Sequence, residues 1–113
     1  MIDYNDHEQV LKIASEVEKL ARRYYDTRLL AANAQNRLDL YLAAQMSGLR
    51  AKKANLGYET AKIMVLEDAP EEIRQCYSDE VKYEAEYRGL EKVIDALMSQ
   101  ISLIQSLIKN QPK

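Results

Sequence analysis

Apolar residues recur along the first half of the chain at Val10, Ile13, Val17, Leu20 and Tyr24, in alternating steps of three and four. That spacing holds one face of a helix toward a partner. Ala14 and Ala21 flank the face, and the pattern runs on more thinly through Thr27, Ala31, Ala34, Leu38, Tyr41, Leu42, Met46 and Leu49, with a slip of phase near its end that resembles a stutter. Asn5 or Asp6 offers an N-cap, Glu8 complements the dipole in the first turn, and no proline occurs before residue 70. The pattern predicts one helix from about 6 to 53, about 70 Å long.

Lys52 and Lys53 suit the last turn of that helix, and Asn55 or Gly57 suits a left-handed cap after it. Tyr58 to Leu66 carries Ala61, Ile63, Met64, Val65 and Leu66, enough for a short second helix at about 58–66. Asp68 reads as the N-cap of a third helix, with Pro70, Glu71 and Glu72 in its first turn. Ile73, Cys76, Glu80, Tyr83, Tyr87, Leu90, Ile94, Leu97, Ile101, Ile104 and Ile108 then alternate threes and fours without a break, a heptad seam predicting a helix at about 69–109. Toward its end Val93, Met98, Leu103 and Leu107 widen the stripe beyond what one partner helix covers, and Asn110 to Lys113 reads as a frayed tail.

A short connection between two long helices folds them antiparallel, setting Val17, Leu20 and Tyr24 near Ile101, Ile104 and Ile108. The expected fold is therefore all-α: a long, coiled-coil-like antiparallel helical hairpin with a short third helix at its connection, forming a single domain over residues 1–113. The apolar end lacks cover within one chain, which favours a homodimer that completes a helical bundle, with a monomeric three-helix bundle as the alternative. Its core or dimer surface falls on Val10, Ile13, Val17, Leu20, Tyr24, Leu97, Ile101, Ile104 and Ile108. Glu80 is the one polar residue of the heptad seam, and single polar seam residues fix register; Arg37 is a cation that antiparallel pairing brings toward it.

Composition narrows the class. With 113 residues, 47% of them hydrophobic and 30% charged, the chain suits one modest core built from strong helix formers. Eight Tyr with no Phe or Trp suit seams where one ring edge stays wet. A formal charge of −2 excludes both a nucleic-acid-coating protein and an acidic mimic of nucleic acid. The lone Cys76 forms no internal disulfide and reads as a small core residue. No basic and apolar leader opens the chain and no run approaches the length of a membrane span, so the expected setting is the cytoplasm of a bacterial or phage-infected host cell, with no membrane partner.

Candidate chemistry is sparse. His7 has no second His or Cys at metal-ligand spacing and no placed nucleophile, and reads as a solvated polar residue. Asp79, Glu84 and Glu86, interleaved with Tyr77 and Tyr83, read as a solvated helix face in which Glu84 with Arg88 and Asp79 with Lys82 form pairs along the helix. No phosphate-binding glycine loop or nucleophile elbow occurs, so no catalytic residue, cofactor or metal is assigned. Arg50, Lys52 and Lys53 beside Tyr58 form a basic hairpin tip with an adjacent aromatic, a surface suited to single-stranded nucleic acid. Lys and Arg at a helix C-terminus also follow from the dipole alone.

The stretch Tyr83-Glu-Ala-Glu-Tyr-Arg-Gly-Leu-Glu-Lys-Val-Ile-Asp-Ala-Leu-Met-Ser-Gln-Ile-Ser-Leu-Ile-Gln-Ser, with Ala31 to Arg37 upstream, resembles small helical proteins that phages and prophages encode among their recombination and replication genes. The resemblance implies an accessory protein without catalytic residues. Tyr87 and Glu91 fit the Tyr-x-x-x-Glu pattern of the helical hairpins exported by type VII secretion, but the chain has no Trp for that family's central turn. The resulting expectation is a non-enzymatic module that binds itself and another protein, as a phage accessory protein or an inhibitor of a host protein; the alternative is a nucleic-acid-binding accessory protein using the basic tip.

Overall fold

The computed structural model of the chain describes residues 4–53 and 55–110, with side chains from Asp6 onward. Among these residues the fold is all-α, with α1 at Tyr4–Lys52, α2 at Tyr58–Glu67 and α3 at Glu71–Lys109. It is an antiparallel helical hairpin with a short helix at the connection, and no described helix is long and apolar enough to cross a membrane. Asn5 and Asp6 lie inside α1 and do not cap it. Met1 to Asp3, and the tail beyond Asn110, fall outside the described residues.

The helix ends differ from expectation in instructive ways. Gly57 has φ of −70° and ψ of 158°, and its carbonyl accepts the amide of Ala61 at 2.9 Å, so it opens α2 and does not close α1. No described residue takes a left-handed conformation; α1 ends through the bonds Lys53 N–H to Leu49 C=O and Leu56 N–H to Lys53 C=O. Asp68 is the C-cap of α2, not the N-cap of α3. The carbonyl of Pro70 accepts the amides of Ile73 and Arg74 at 3.0 and 3.1 Å, so proline itself opens α3 with its fixed φ and without its missing N–H being required.

The chain divides into two compact units, one of Met1–Thr27 with Ala85–Lys113 and one of Arg28–Glu84, with α1 and α3 continuous through both. In the second, which holds the turn, the last turns of α1 are covered by α2. Leu38, Leu42 and Met46 of α1 form a buried cluster with Ala61 and Val65 of α2, and Tyr41, Leu49, Leu56, Leu66 and Ile73 pack around it. Ala61 is 0% exposed within that cluster. α3 enters lower on α1, where Arg37 pairs with Glu72 at 3.9 Å.

In the first unit, which holds both chain ends, α1 and α3 lie side by side and run in opposite directions. Tyr24 meets Tyr87, Arg23 meets Glu86, and Val10 shares a groove with Ile108. The expected pairing of Tyr24 with the Ile101 to Ile108 segment is thereby shifted. Within the turn unit α2, not α3, packs against the end of α1, and α3 starts level with Arg37. Val10, Ile13, Val17, Leu20 and Tyr24 are all half-buried, as are Leu97, Ile101, Ile104 and Ile108. Only Thr27 and Leu90 are buried among this unit's described residues, and Thr27 satisfies its hydroxyl by donating to the Arg23 carbonyl at 2.8 Å.

Candidate functional site

Two surfaces hold the residues singled out from the sequence. The first belongs to the unit of the chain ends. There Tyr24 packs edge to face on Tyr25, with 5.5 Å between ring centroids, and on Tyr87 at 6.0 Å. The Arg23 guanidinium donates to Glu86 at 3.0 Å beside them. Tyr24 and Tyr25 line a hollow of about 190 Å³ with Ala21, Glu91 and Ile94. A wider hollow of about 380 Å³ lies between His7, Val10 and Leu11 of α1 and Gln105, Ile108 and Lys109 of α3.

The two hollows share one construction. Ala21, Tyr24 and Tyr25 follow His7, Val10 and Leu11 by two heptads, and Glu91 and Ile94 precede Gln105 and Ile108 by two heptads. They occupy equivalent heptad positions along one side of the α1 and α3 seam, about 21 Å apart at the rise of an α-helix, and together define a groove line on that side. Leu11 and Tyr25, 71% and 68% exposed, stand on its α1 wall, and Met98, 48% exposed, stands on α3 between the hollows. Leu11, Tyr25 and Lys109 were not among the residues singled out from the sequence, and Glu91 was noted only for its Tyr-x-x-x-Glu spacing. For Leu11 and Tyr25 the signal was an apolar residue directly after four of the five α1 seam residues, in Leu11, Ala14, Ala21 and Tyr25, with Glu18 the exception. Val93, Leu103 and Leu107 are exposed on α3.

The second surface is the basic tip, and the structure divides it. Arg50 and Tyr58 line one groove of about 780 Å³ with Asp39, Leu42, Met46 and Ser47. Lys52 lines a different groove, of about 320 Å³, with Tyr41, Met64 and Asp68, and Lys53 is exposed between α1 and α2. Asp39 and Asp68 place a carboxylate in each groove, so the cations do not act as one patch.

Glu80 lies half-buried in the turn unit. Desolvation, then the charge of Glu84, a hydrogen bond with Glu84 and the charge of Asp39 push its carboxyl above the usual glutamate value. The expected cation is absent from that set: Arg37 is engaged with Glu72, and α1 presents Asp39 to Glu80 instead. Asp79 accepts from Gln75 at 2.8 Å along its own helix. Cys76 is a buried free thiol, and no group of three metal-ligating side chains occurs among the described residues. Comparison of the chain with protein-family models, with curated proteins and with solved structures finds no match in any of the three.

Proposed function

We propose that this chain is a non-enzymatic protein–protein interaction module that pairs with a second copy of itself and presents the resulting helical surface to another protein. The observation that carries this is the half-covered seam of the chain-end unit. Nine large apolar or aromatic residues lie along it, Val10, Ile13, Val17, Leu20 and Tyr24 on α1 and Leu97, Ile101, Ile104 and Ile108 on α3, and all are half-buried with none buried. Two helices alone leave such a seam wet along both sides, and a second pair of helices stabilises it by removing that area from water, about 25 cal/mol for each Å². The resemblance to accessory proteins of phages and prophages supports the same role, as an accessory factor or an inhibitor of a host protein in the cytoplasm of a bacterial or infected cell.

Light scattering across a wide concentration range tests this. The expected mass is twice the 13.0 kDa of one chain, falling toward one chain on dilution. Ile101→Asp places a charge in the seam and should abolish the dimer; a variant that keeps wild-type mass and helix content refutes the assignment of the seam.

A second reading is favoured by one observation, the shared groove of Arg50 and the 56% exposed Tyr58, which offers a charge and a stacking ring to single-stranded nucleic acid. It requires binding that weakens steeply with salt and is lost on charge reversal at Arg50, Lys52 and Lys53. Unchanged affinity of the reversed variant for a fluorescent oligonucleotide removes it.

A further inference from the structure

We infer that the second copy docks groove against groove on the Leu11 and Tyr25 side of the chain-end unit, with the two α1 helices antiparallel and the two α3 helices antiparallel about a two-fold axis crossing near Glu16 and Gln100. The inference rests on the self-association proposed above and specifies its surface and register.

The groove is complementary to itself when reversed. Its two hollows repeat two heptads apart, so a copy turned end for end sets each hollow against the other. One hollow carries Glu91 and the other carries Lys109, and neither makes an ion pair among the described residues. With the axis near Gln100, Glu91 of one copy falls opposite Lys109 of the other, and the contact occurs twice. The sizes also match. With the axis near Glu16, Leu11 falls opposite Ala21 and His7 opposite Tyr25, so the most exposed apolar side chain of the α1 wall meets the smallest. Met98, at the middle of the groove, falls opposite the small Ser102. The other face-to-face two-fold, with its axis along the helices, sets α3 against α1 and loses both contacts.

The test uses full-length Glu91→Lys and Lys109→Glu chains, singly and mixed, with helix content checked by circular dichroism and dimerisation measured by sedimentation. Each single variant places two like-charge contacts in its own homodimer and should weaken it by about tenfold. In an equimolar mixture each contact again joins a carboxylate to an ammonium, so the heterodimer should regain wild-type affinity. Lys12→Glu, whose side chain lines neither hollow, should give no such recovery with Glu91→Lys. A wild-type dimer whose mixed variants pair no better than each alone overturns this register and leaves self-association standing. Recovery with Lys12→Glu equal to that with Lys109→Glu also overturns it, since net charge then explains the effect. A wild-type chain that stays monomeric at every concentration removes both this register and the self-association beneath it.

Discussion

The rings of Tyr24 and Tyr87 meet edge to face, with 6.0 Å between centroids and 82° between planes, and so join α1 to α3 through the positive edge of one ring and the negative face of the other. A double-mutant cycle with Tyr24→Leu and Tyr87→Leu, followed by urea unfolding, should give a coupling of about 0.5–1.5 kcal/mol. The adjacent Arg23 to Glu86 pair is largely exposed on the Arg side, and Arg23→Ala should cost no more than about 1 kcal/mol.

Leu42 is buried against α2, and Leu42→Ala should destabilise the turn unit by about 2–5 kcal/mol, the range for a buried Leu that leaves a cavity. Cys76 lies buried in the same unit and reports on it directly. Its reaction with a thiol reagent should be slow in the wild type and accelerate in Leu42→Ala; an unchanged rate contradicts the placement of both residues.

Amide exchange should differ between the two ends of α1. Leu38 to Met46 have a buried cluster to hold them, whereas Val10 to Val17 have a seam with no buried member in a monomer. Slower exchange of the Leu38 to Met46 amides is expected at concentrations too low for dimerisation. The difference should shrink as concentration rises and the seam is covered.

Glu80 gives the pH dependence. Its carboxyl is held above the usual value by burial and by Glu84 and Asp39, so the folded chain binds its proton more tightly than the unfolded chain does. The contribution of Glu80 to stability is then greatest below the ordinary glutamate value and is lost as pH rises through the elevated one, opposite in sign to a salt-bridged carboxylate. Glu80→Gln should raise the urea midpoint at neutral pH and flatten its decline above the ordinary glutamate value. An equally sloped profile in Glu80→Gln would show that another group titrates there.

Much of the fold was legible because helix periodicity and burial share one cause. Every position of the seam read from the sequence on α3, from Ile73 through Cys76, Tyr83, Tyr87, Leu90 and Ile94 to Ile108, is buried or half-buried, but Asp79, Glu84 and Glu86, read as a solvated face, are half-buried as well. Helix ends were less legible, since Asp68 and Gly57 each suit either side of a boundary and only the neighbouring element decides. The pairing of Tyr24 was misjudged for a related reason: spacing along a helix says which face is apolar, but not which partner sits opposite. α2 occupies length on α1 that a plain hairpin gives to α3. The groove was legible only in retrospect, because Leu11 and Tyr25 look like isolated exposed apolar residues until α3 supplies the other wall. The basic tip read as one patch along the chain, whereas helix geometry turned Lys52 away from Arg50.

The packing of α2 on the last turns of α1 has a consequence for how the chain reaches this structure. Met46 and Ala61 are fifteen positions apart, so their contact closes a short loop at small entropic cost. Arg23 and Glu86 are 63 positions apart, and the Val10 and Ile108 groove needs almost the whole chain. Loop-closure entropy favours an order that starts at the turn and runs toward the chain ends, and on that order the surface proposed above for a second copy forms last.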